Sequence, residues 1–214
     1  MKKALVIGAT GMVGTQLIQL LVSDEAYTEI VSFVRRSSAY THPKLTEFII
    51  DFDQPDKWRS LVTGDVLFST LGTTIAKAKT KEAQYKVDFT YQYNFAEIAA
   101  KNGVSDYVLV SSAGANAKSK TFYIKIKGQL DQSVQTLPFK HINILRPGPL
   151  DGDRDENRVG EKIGLTVMYG LNKLGLFQKY RPIKANLVAK AMIHAEQKNK
   201  SAIYTFDEIH KLAK

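Results

Sequence analysis

Short apolar runs alternate with stretches of helical periodicity along this 214-residue chain. Ala4-Leu5-Val6-Ile7 is the first strand candidate, and a helix rich in Leu and Val follows from Gln16 to Val22. Glu29 to Val34 reads as a second strand ending at Arg35-Arg36, and Glu47 to Ile50 as a short third one ending at Asp51. Asp53 is placed to cap a helix with Pro55 in its first turn and Trp58, Leu61 and Val62 as its apolar face. Asp65 to Thr70 forms strand four, followed by Leu71-Gly72-Thr73-Thr74.

A long helix is predicted from Lys81 to Asn102, with Gly103 placed to end it. Tyr107 to Val110 is strand five and runs into Ser111-Ser112. A helix over Lys120 to Gln135 stops before Pro138, and Ile142 to Leu145 is strand six, leading to Arg146-Pro147-Gly148. Beyond Leu150 come a polar loop (Asp151 to Glu161), helices over Ile163 to Leu174 and Lys184 to Gln197, a last strand (Ala202 to Phe206) and a short terminal helix. The amphipathic face of Leu187 to His194 is expected to pack on the core. Strand–helix alternation predicts an α/β fold of three layers, a parallel sheet with helices on both faces and a small C-terminal elaboration. No repeat or linker breaks the pattern, so residues 1–214 read as one domain.

The junction between the first strand and helix carries Gly8-Ala9-Thr10-Gly11-Met12-Val13-Gly14. Three glycines there permit a tight turn, a close backbone approach to a diphosphate, and helix–sheet packing. The helix N-terminus adds free N–H groups and partial positive charge. In this context the G-x-x-G-x-x-G spacing predicts dinucleotide binding in a Rossmann arrangement.

Composition narrows the setting. Cysteine is absent, so neither a disulfide framework nor a thiolate nucleophile is available. No apolar run reaches the ~20 residues of a membrane span, and no signal peptide precedes the first strand. A cytoplasmic location is expected. The net charge is +9, densest around Lys77, Lys79, Lys81 and Lys86. Aromatic–basic interleaving is missing, so the charge reads as a solvated surface rather than a nucleic-acid site. His42, His141, His194 and His210 are scattered without metal-ligand spacing.

The residue reading the adenosine ribose belongs at the end of strand two. Arg35-Arg36 stand there, and the next acid is Glu47. Guanidinium groups pair with a 2′-phosphate but cannot accept from a 2′-hydroxyl, which favours NADP over NAD; a plain surface pair is the alternative. Asp51 and Phe52 are candidates for the adenine side, with helix capping as the competing role for the acid. Thr70, Leu71, Gly72 and Thr73 fit a backbone lying against the cofactor, as they would fit a plain turn.

Reactive chemistry is expected from Ser111, Ser112, Tyr123 and Lys127. Tyr123 and Lys127 are i and i+4 on a helix and share a face. An ammonium beside a phenol favours the phenolate and makes the tyrosine usable in proton transfer at neutral pH. A serine at the neighbouring strand end would hold a substrate oxygen. Half-buried packing is the ordinary alternative for such a tyrosine.

These elements together resemble the short-chain dehydrogenase/reductase superfamily in its extended or atypical branch, the branch of the Tat-interacting protein and of small epimerase-like oxidoreductases. The resemblance rests on Gly8-x-x-Gly11-x-x-Gly14, the Ser-Ser strand end, Tyr123-x-x-x-Lys127 and Arg146-Pro147-Gly148. It also draws on the helix from Val87-Asp88 to Gly103-Val104 and, more weakly, on Asp153-Arg154 and Gly160-Glu161. It implies that Gly8 to Gly14 bind diphosphate and Arg35-Arg36 select NADPH. Ser112 rather than Ser111 would join Tyr123 and Lys127 in catalysis, with Pro147 and Gly148 touching the nicotinamide. The implied function is an NADP-dependent oxidoreductase acting on a small carbonyl or hydroxyl compound, as a monomer or homodimer. The alternatives are an NADP-binding regulator that contacts a protein partner, and a sugar-nucleotide epimerase or dehydratase. Three features depart from the pattern: a short gap between Ser112 and Tyr123, Asp88 where asparagine is common, and little chain after Leu150 for a sugar-nucleotide domain.

Overall fold

The computed structural model describes residues 1–151 and 182–214. Seven strands form one sheet, β1 (Lys2–Ile7), β2 (Tyr27–Val34), β3 (Leu45–Ile49), β4 (Val66–Ser69), β5 (Asp106–Val110), β6 (His141–Arg146) and β9 (Ala202–Thr205), in the order β3-β2-β1-β4-β5-β6-β9. Every pairing is parallel. Leu150–Asp151 (β7) and Ile183–Lys184 (β8) form a separate two-strand ladder.

Side chains alternate across the central strands, so each strand feeds two cores. Ala4 and Val6 of β1 join Val13, Leu17 and Leu21 of α1 (Met12–Ser23) and Val188 and Met192 of α6 (Ala185–Gln197) on one face. Leu5 and Ile7 join Phe95 of α4 (Tyr91–Lys101), Leu130 of α5 (Phe122–Val134) and Trp58 on the other. Burial on both faces explains why these strands read as continuous apolar runs. The α6 face packs on the core as its amphipathicity predicts. A short helix, α7 (Phe206–Leu212), carries a capping box between Thr205 and Glu208.

Several elements differ from the sequence reading. The helix predicted after Asp53 is two single 3₁₀ turns, Pro55–Lys57 and Arg59–Leu61, with Gln54 rather than Asp53 at the first cap. Trp58 and Val62 are buried as expected, but Leu61 is exposed, because two tight turns do not align it with them. The long helix to Asn102 exists but is subdivided into α3 (Lys81–Tyr85), a π-type segment Lys86–Thr90, and α4. Gly103 ends it at φ +87°. A one-turn helix, α2 (Ile75–Ala78), had no sequence counterpart. The helix expected over Ile163 to Leu174 and most of the Asp151 to Glu161 loop lie outside the described residues.

The connections from β1 through β3 lie to one side of β1, and β4 returns on its other side. This reversal opens a crevice at the carboxyl ends of β1 and β4, where ligands bind in open α/β sheets.

Candidate active site

The crevice is bounded by the glycine loop after β1 and the segment 70–73 after β4, and the two are stitched together. Thr70 donates through its backbone N–H to the Ile7 carbonyl at 3.0 Å, and through Oγ1 to the Ile7 and Gly8 carbonyls at 3.0 and 3.1 Å. Gly8 adopts φ +81°, and a Cβ there would stand 2.4 Å from the Leu71 nitrogen. A Cβ on Gly14 would stand 2.1 Å from the Gly8 carbonyl oxygen, so α1 starts flush against the loop. Gly11 caps α1 without any side-chain bond and its N–H donates to the Gly8 carbonyl at 2.9 Å. Gly8 to Gly14, with Thr10, Met12 and Val13 among them, therefore form a bare backbone rim around an α-helix N-terminus. That cradle suits an anionic diphosphate.

At one end of the crevice Arg35 and Arg36 follow β2, both exposed and without an ion pair to any described residue. Beside them lies a cavity of about 160 Å³ lined by Thr10, Thr15, Ser32, Ser38, Tyr40 and Glu47, among others. Glu47 accepts from the Ser38 N–H at 3.0 Å. Partial burial works to raise its pKa, but hydrogen bonding from Ser38 outweighs it and holds the carboxyl below the usual range. Sequence reading gave Glu47 no role; its place depends on β3 pairing with β2, which brings Glu47 opposite Ser32.

Asp51 and Phe52, the adenine-side candidates, also serve the local structure. Asp51 Oδ1 and Oδ2 accept from the Asp53 N–H at 2.9 Å and the Gln54 amide at 2.8 Å, closing a local turn. Phe52 is buried, with its ring stacked on Tyr91 at 5.2 Å and near Trp58 and Phe95. Asp53, expected as a helix cap, instead accepts from Lys86 Nζ at 2.8 Å and the Tyr91 hydroxyl at 2.9 Å.

The opposite end holds the reactive candidates. The chain after β5 is tied to the chain after β6 by bonds from Ser111 N–H to the Leu145 carbonyl (2.7 Å) and from Ala113 N–H to the Pro147 carbonyl (2.8 Å). This brings Ser111 and Ser112 beside Pro147 and Gly148. Helix α5 packs down on the loop that precedes it because Gly128 carries no Cβ; one would stand 2.2 Å from the Ala117 nitrogen. Tyr123 then projects from the first turn of α5, 38% exposed, while Lys127 is 3% exposed and donates to the Val110 carbonyl at 3.2 Å. Ser112 is half-buried and its hydroxyl donates to the Ala113 carbonyl at 3.4 Å, whereas Ser111 is buried.

Two buried carboxylates near Lys127 escaped the sequence reading as site residues. Asp88 lies in the π-type segment and accepts from the Thr73 N–H at 3.2 Å. Asp131, one turn beyond Lys127 on α5, accepts from Arg146 Nε at 2.8 Å. Burial raises both carboxyls; the Lys127 charge opposes the rise at Asp88, and the Ser111 hydroxyl, Arg146 and Lys127 oppose it at Asp131. The i+4 spacing of Asp131 from Lys127 was the available signal. No group of three or more His, Asp or Glu suited to a metal occurs among the described residues. None of their helices is long and apolar enough to cross a membrane.

Comparison with known proteins agrees with this geometry. A family model described as NAD(P)H-binding matches residues 8–195. "Protein FMP52, mitochondrial" of Candida albicans is 35% identical over 97% of this chain and 96% of its own length. The Saccharomyces cerevisiae protein of the same name is 37% identical over 72% of this chain and 68% of its own. Among solved structures, the Bordetella bronchiseptica enzyme WbmH in complex with NAD⁺ superposes with a TM-score of 0.74 at 15% identity, covering 100% of this chain and 79% of that one. The Helicobacter pylori ADP-L-glycero-D-manno-heptose-6-epimerase gives 0.71 at 18% identity, over 99% and 81%. At such identities the likeness shows a shared Rossmann fold. The names of the relatives place those proteins in mitochondria, which overturns the cytoplasmic expectation.

Proposed function

The chain belongs to the NAD(P)H-binding family, and we propose that it is an oxidoreductase that uses NADPH to reduce a small carbonyl compound, with Tyr123 and Lys127 as its proton-transfer pair. The observation that carries this reading is the pairing of an exposed Tyr123 with a buried Lys127 on one face of α5, at the far end of a glycine cradle. The cradle fits the dinucleotide's diphosphate because a Cβ at Gly8 or Gly14 would already collide with backbone. A nicotinamide dinucleotide held by Gly8 to Gly14 would supply hydride to the substrate carbon. Ser112 donates its hydroxyl to the substrate oxygen, and Tyr123 delivers the proton to that oxygen from its phenol. Lys127 would stabilise the phenolate left behind and would be the residue to hold the ribose of the bound dinucleotide. Thr70 to Thr73 and Pro147-Gly148 keep the two sides of the reacting end in place. In line with the names of its relatives, the proposed place of action is mitochondrial.

Arg35 and Arg36, free of protein partners among the described residues, support the 2′-phosphate and hence NADP. A second cofactor reading, NAD, is favoured by Glu47, whose ionised carboxyl lines the same cavity and can accept from a ribose hydroxyl. The test is NADPH and NADH oxidation followed against a panel of aldehydes, ketones and quinones. Binding of NADPH without oxidation by any of them would favour an NADP-sensing regulator instead.

A further inference from the structure

Asp88 is 1% exposed and lies directly against the segment that would line the nicotinamide end. Its Oδ1 accepts from the Thr73 N–H, and a Cβ on Gly72 would come within 3.2 Å of the same oxygen. Its Oδ2 is buried without a hydrogen-bond partner among the described residues. From α4, Gln92 fixes this segment by donating to the Asp88 carbonyl at 3.0 Å while accepting from the Ser69 hydroxyl at 2.8 Å. From α3 the neighbour is the uncharged, buried Gln84. From α5 it is the buried Lys127 ammonium, whose charge acts on Asp88 against the effect of burial. The other carboxylate near Lys127, Asp131, is already paired with Arg146. Lys127 also acts on Asp131, but Asp88 has no other charged group acting on it among the described residues.

A nicotinamide ring is neutral when reduced and carries one positive charge when oxidised. A lone ammonium beneath it would disfavour the oxidised form. We propose that Asp88 is a positioning residue that cancels the Lys127 charge at the nicotinamide end, so that the site favours oxidised over reduced cofactor and is biased toward carbonyl reduction. This rests on the placing of the ring beside Lys127 in the function proposed above. One buried charge at such a range, screened as near a protein surface, changes the ratio of affinities by roughly three- to thirtyfold.

The experiment is a pair of calorimetric titrations with NADP⁺ and NADPH at pH 8 on the full chain, reading the ratio Kd(NADP⁺)/Kd(NADPH). Asp88→Asn keeps an acceptor for the Thr73 N–H while removing the charge, and should raise the ratio by about three- to thirtyfold. Lys127→Met should lower it, although it weakens binding of both forms, and the double variant should return toward wild type. A purely structural role would move both dissociation constants together. Wild type supplies a test that needs no variant. Burial raises the Asp88 carboxyl, so lowering the pH protonates it and should carry the ratio toward the Asp88→Asn value. In Asp88→Asn that drift should vanish. An unchanged ratio in Asp88→Asn, or a shift of the same sign in Lys127→Met, overturns the proposal. Failure of wild type to bind either form overturns the proposed function and this inference with it.

Discussion

Gly8 and Leu71 approach so closely that a single added carbon on Gly8 would stand 2.4 Å from the Leu71 nitrogen. That contact is backbone against backbone, joining the loops after β1 and β4 at the mouth of the crevice. Neither side can yield by rotating a side chain. Gly8→Ala should therefore cost about 2–4 kcal/mol through forced backbone movement and positive φ, and abolish cofactor binding. Gly103→Ala is the matched control. Its φ is +87°, but nothing lies within 4 Å, so only the conformational cost of about 1–2 kcal/mol remains. Urea unfolding of both variants checks the contrast, and equal losses would show that the close approach contributes nothing.

The proposed preference for NADP rests on Arg35 and Arg36, and the NAD reading on Glu47. Removing both guanidinium groups should erase charge-assisted bonds worth roughly 1.5–3 kcal/mol, a ten- to hundredfold loss in NADPH affinity with NADH little changed. Glu47→Gln should act in the opposite sense, strengthening NADPH by removing a negative charge from the cavity beside the 2′-position. Calorimetric titration of both cofactors decides. Equal affinity of wild type for NADPH and NADH would discard the arginine assignment and favour the NAD reading.

Strands and the glycine loop were legible because each announces itself locally. Ala4 to Ile7 is apolar throughout because both faces of β1 are covered, and Gly8, Gly11 and Gly14 sit where the backbone demands them. Tyr123 and Lys127 were legible for the same reason: helical spacing alone puts them on one face. What stayed hidden depends on partners distant in sequence. Asp53 looks like a helix cap until Lys86 and Tyr91 arrive to claim its carboxylate. The packing of Phe52 likewise emerges only when Tyr91, Trp58 and Phe95 surround its ring. Asp88 sits in a helical stretch whose π-type segment has no sequence signature, and only the fold brings it to Thr73 and Lys127.

Arg146 and Asp131 form a half-buried pair between β6 and α5, and the pair has a pH signature. Burial raises the Asp131 carboxyl, and the Arg146 guanidinium opposes that rise. Arg146→Ala would leave a buried carboxylate unpaired, a loss of about 2–4 kcal/mol at neutral pH after allowing for the partial exposure of the arginine. The folded-state pKa would then lie further above the unfolded one. Stability contributed by the protonated carboxyl is complete below the unfolded value and lost as pH rises through the folded one. The deficit against wild type should accordingly be larger at pH 8 than at pH 5 in thermal unfolding. A deficit independent of pH would assign the arginine a packing role only.

Tyr123→Phe separates an enzyme from a cofactor sensor. The substitution keeps the ring and removes only a hydroxyl from an exposed position on the first turn of α5, where that hydroxyl holds no hydrogen bond to a described residue. Folding and NADPH affinity should barely change. Proton delivery, in contrast, has no second donor of the same reach, since Lys127 is buried and turned to the Val110 carbonyl. Turnover of any accepted carbonyl compound should fall by about 10²–10⁴, the usual worth of a positioned acid, with KM little altered. Lys127→Ala should instead weaken both cofactor binding and turnover, because in the proposed mechanism one ammonium serves the phenolate and the ribose. The measurement is NADPH oxidation at saturating cofactor, run beside cofactor titrations on the same samples. A Tyr123→Phe variant that keeps the wild-type rate would remove Tyr123 from the chemistry, leaving Ser112 or a bound water as the proton donor.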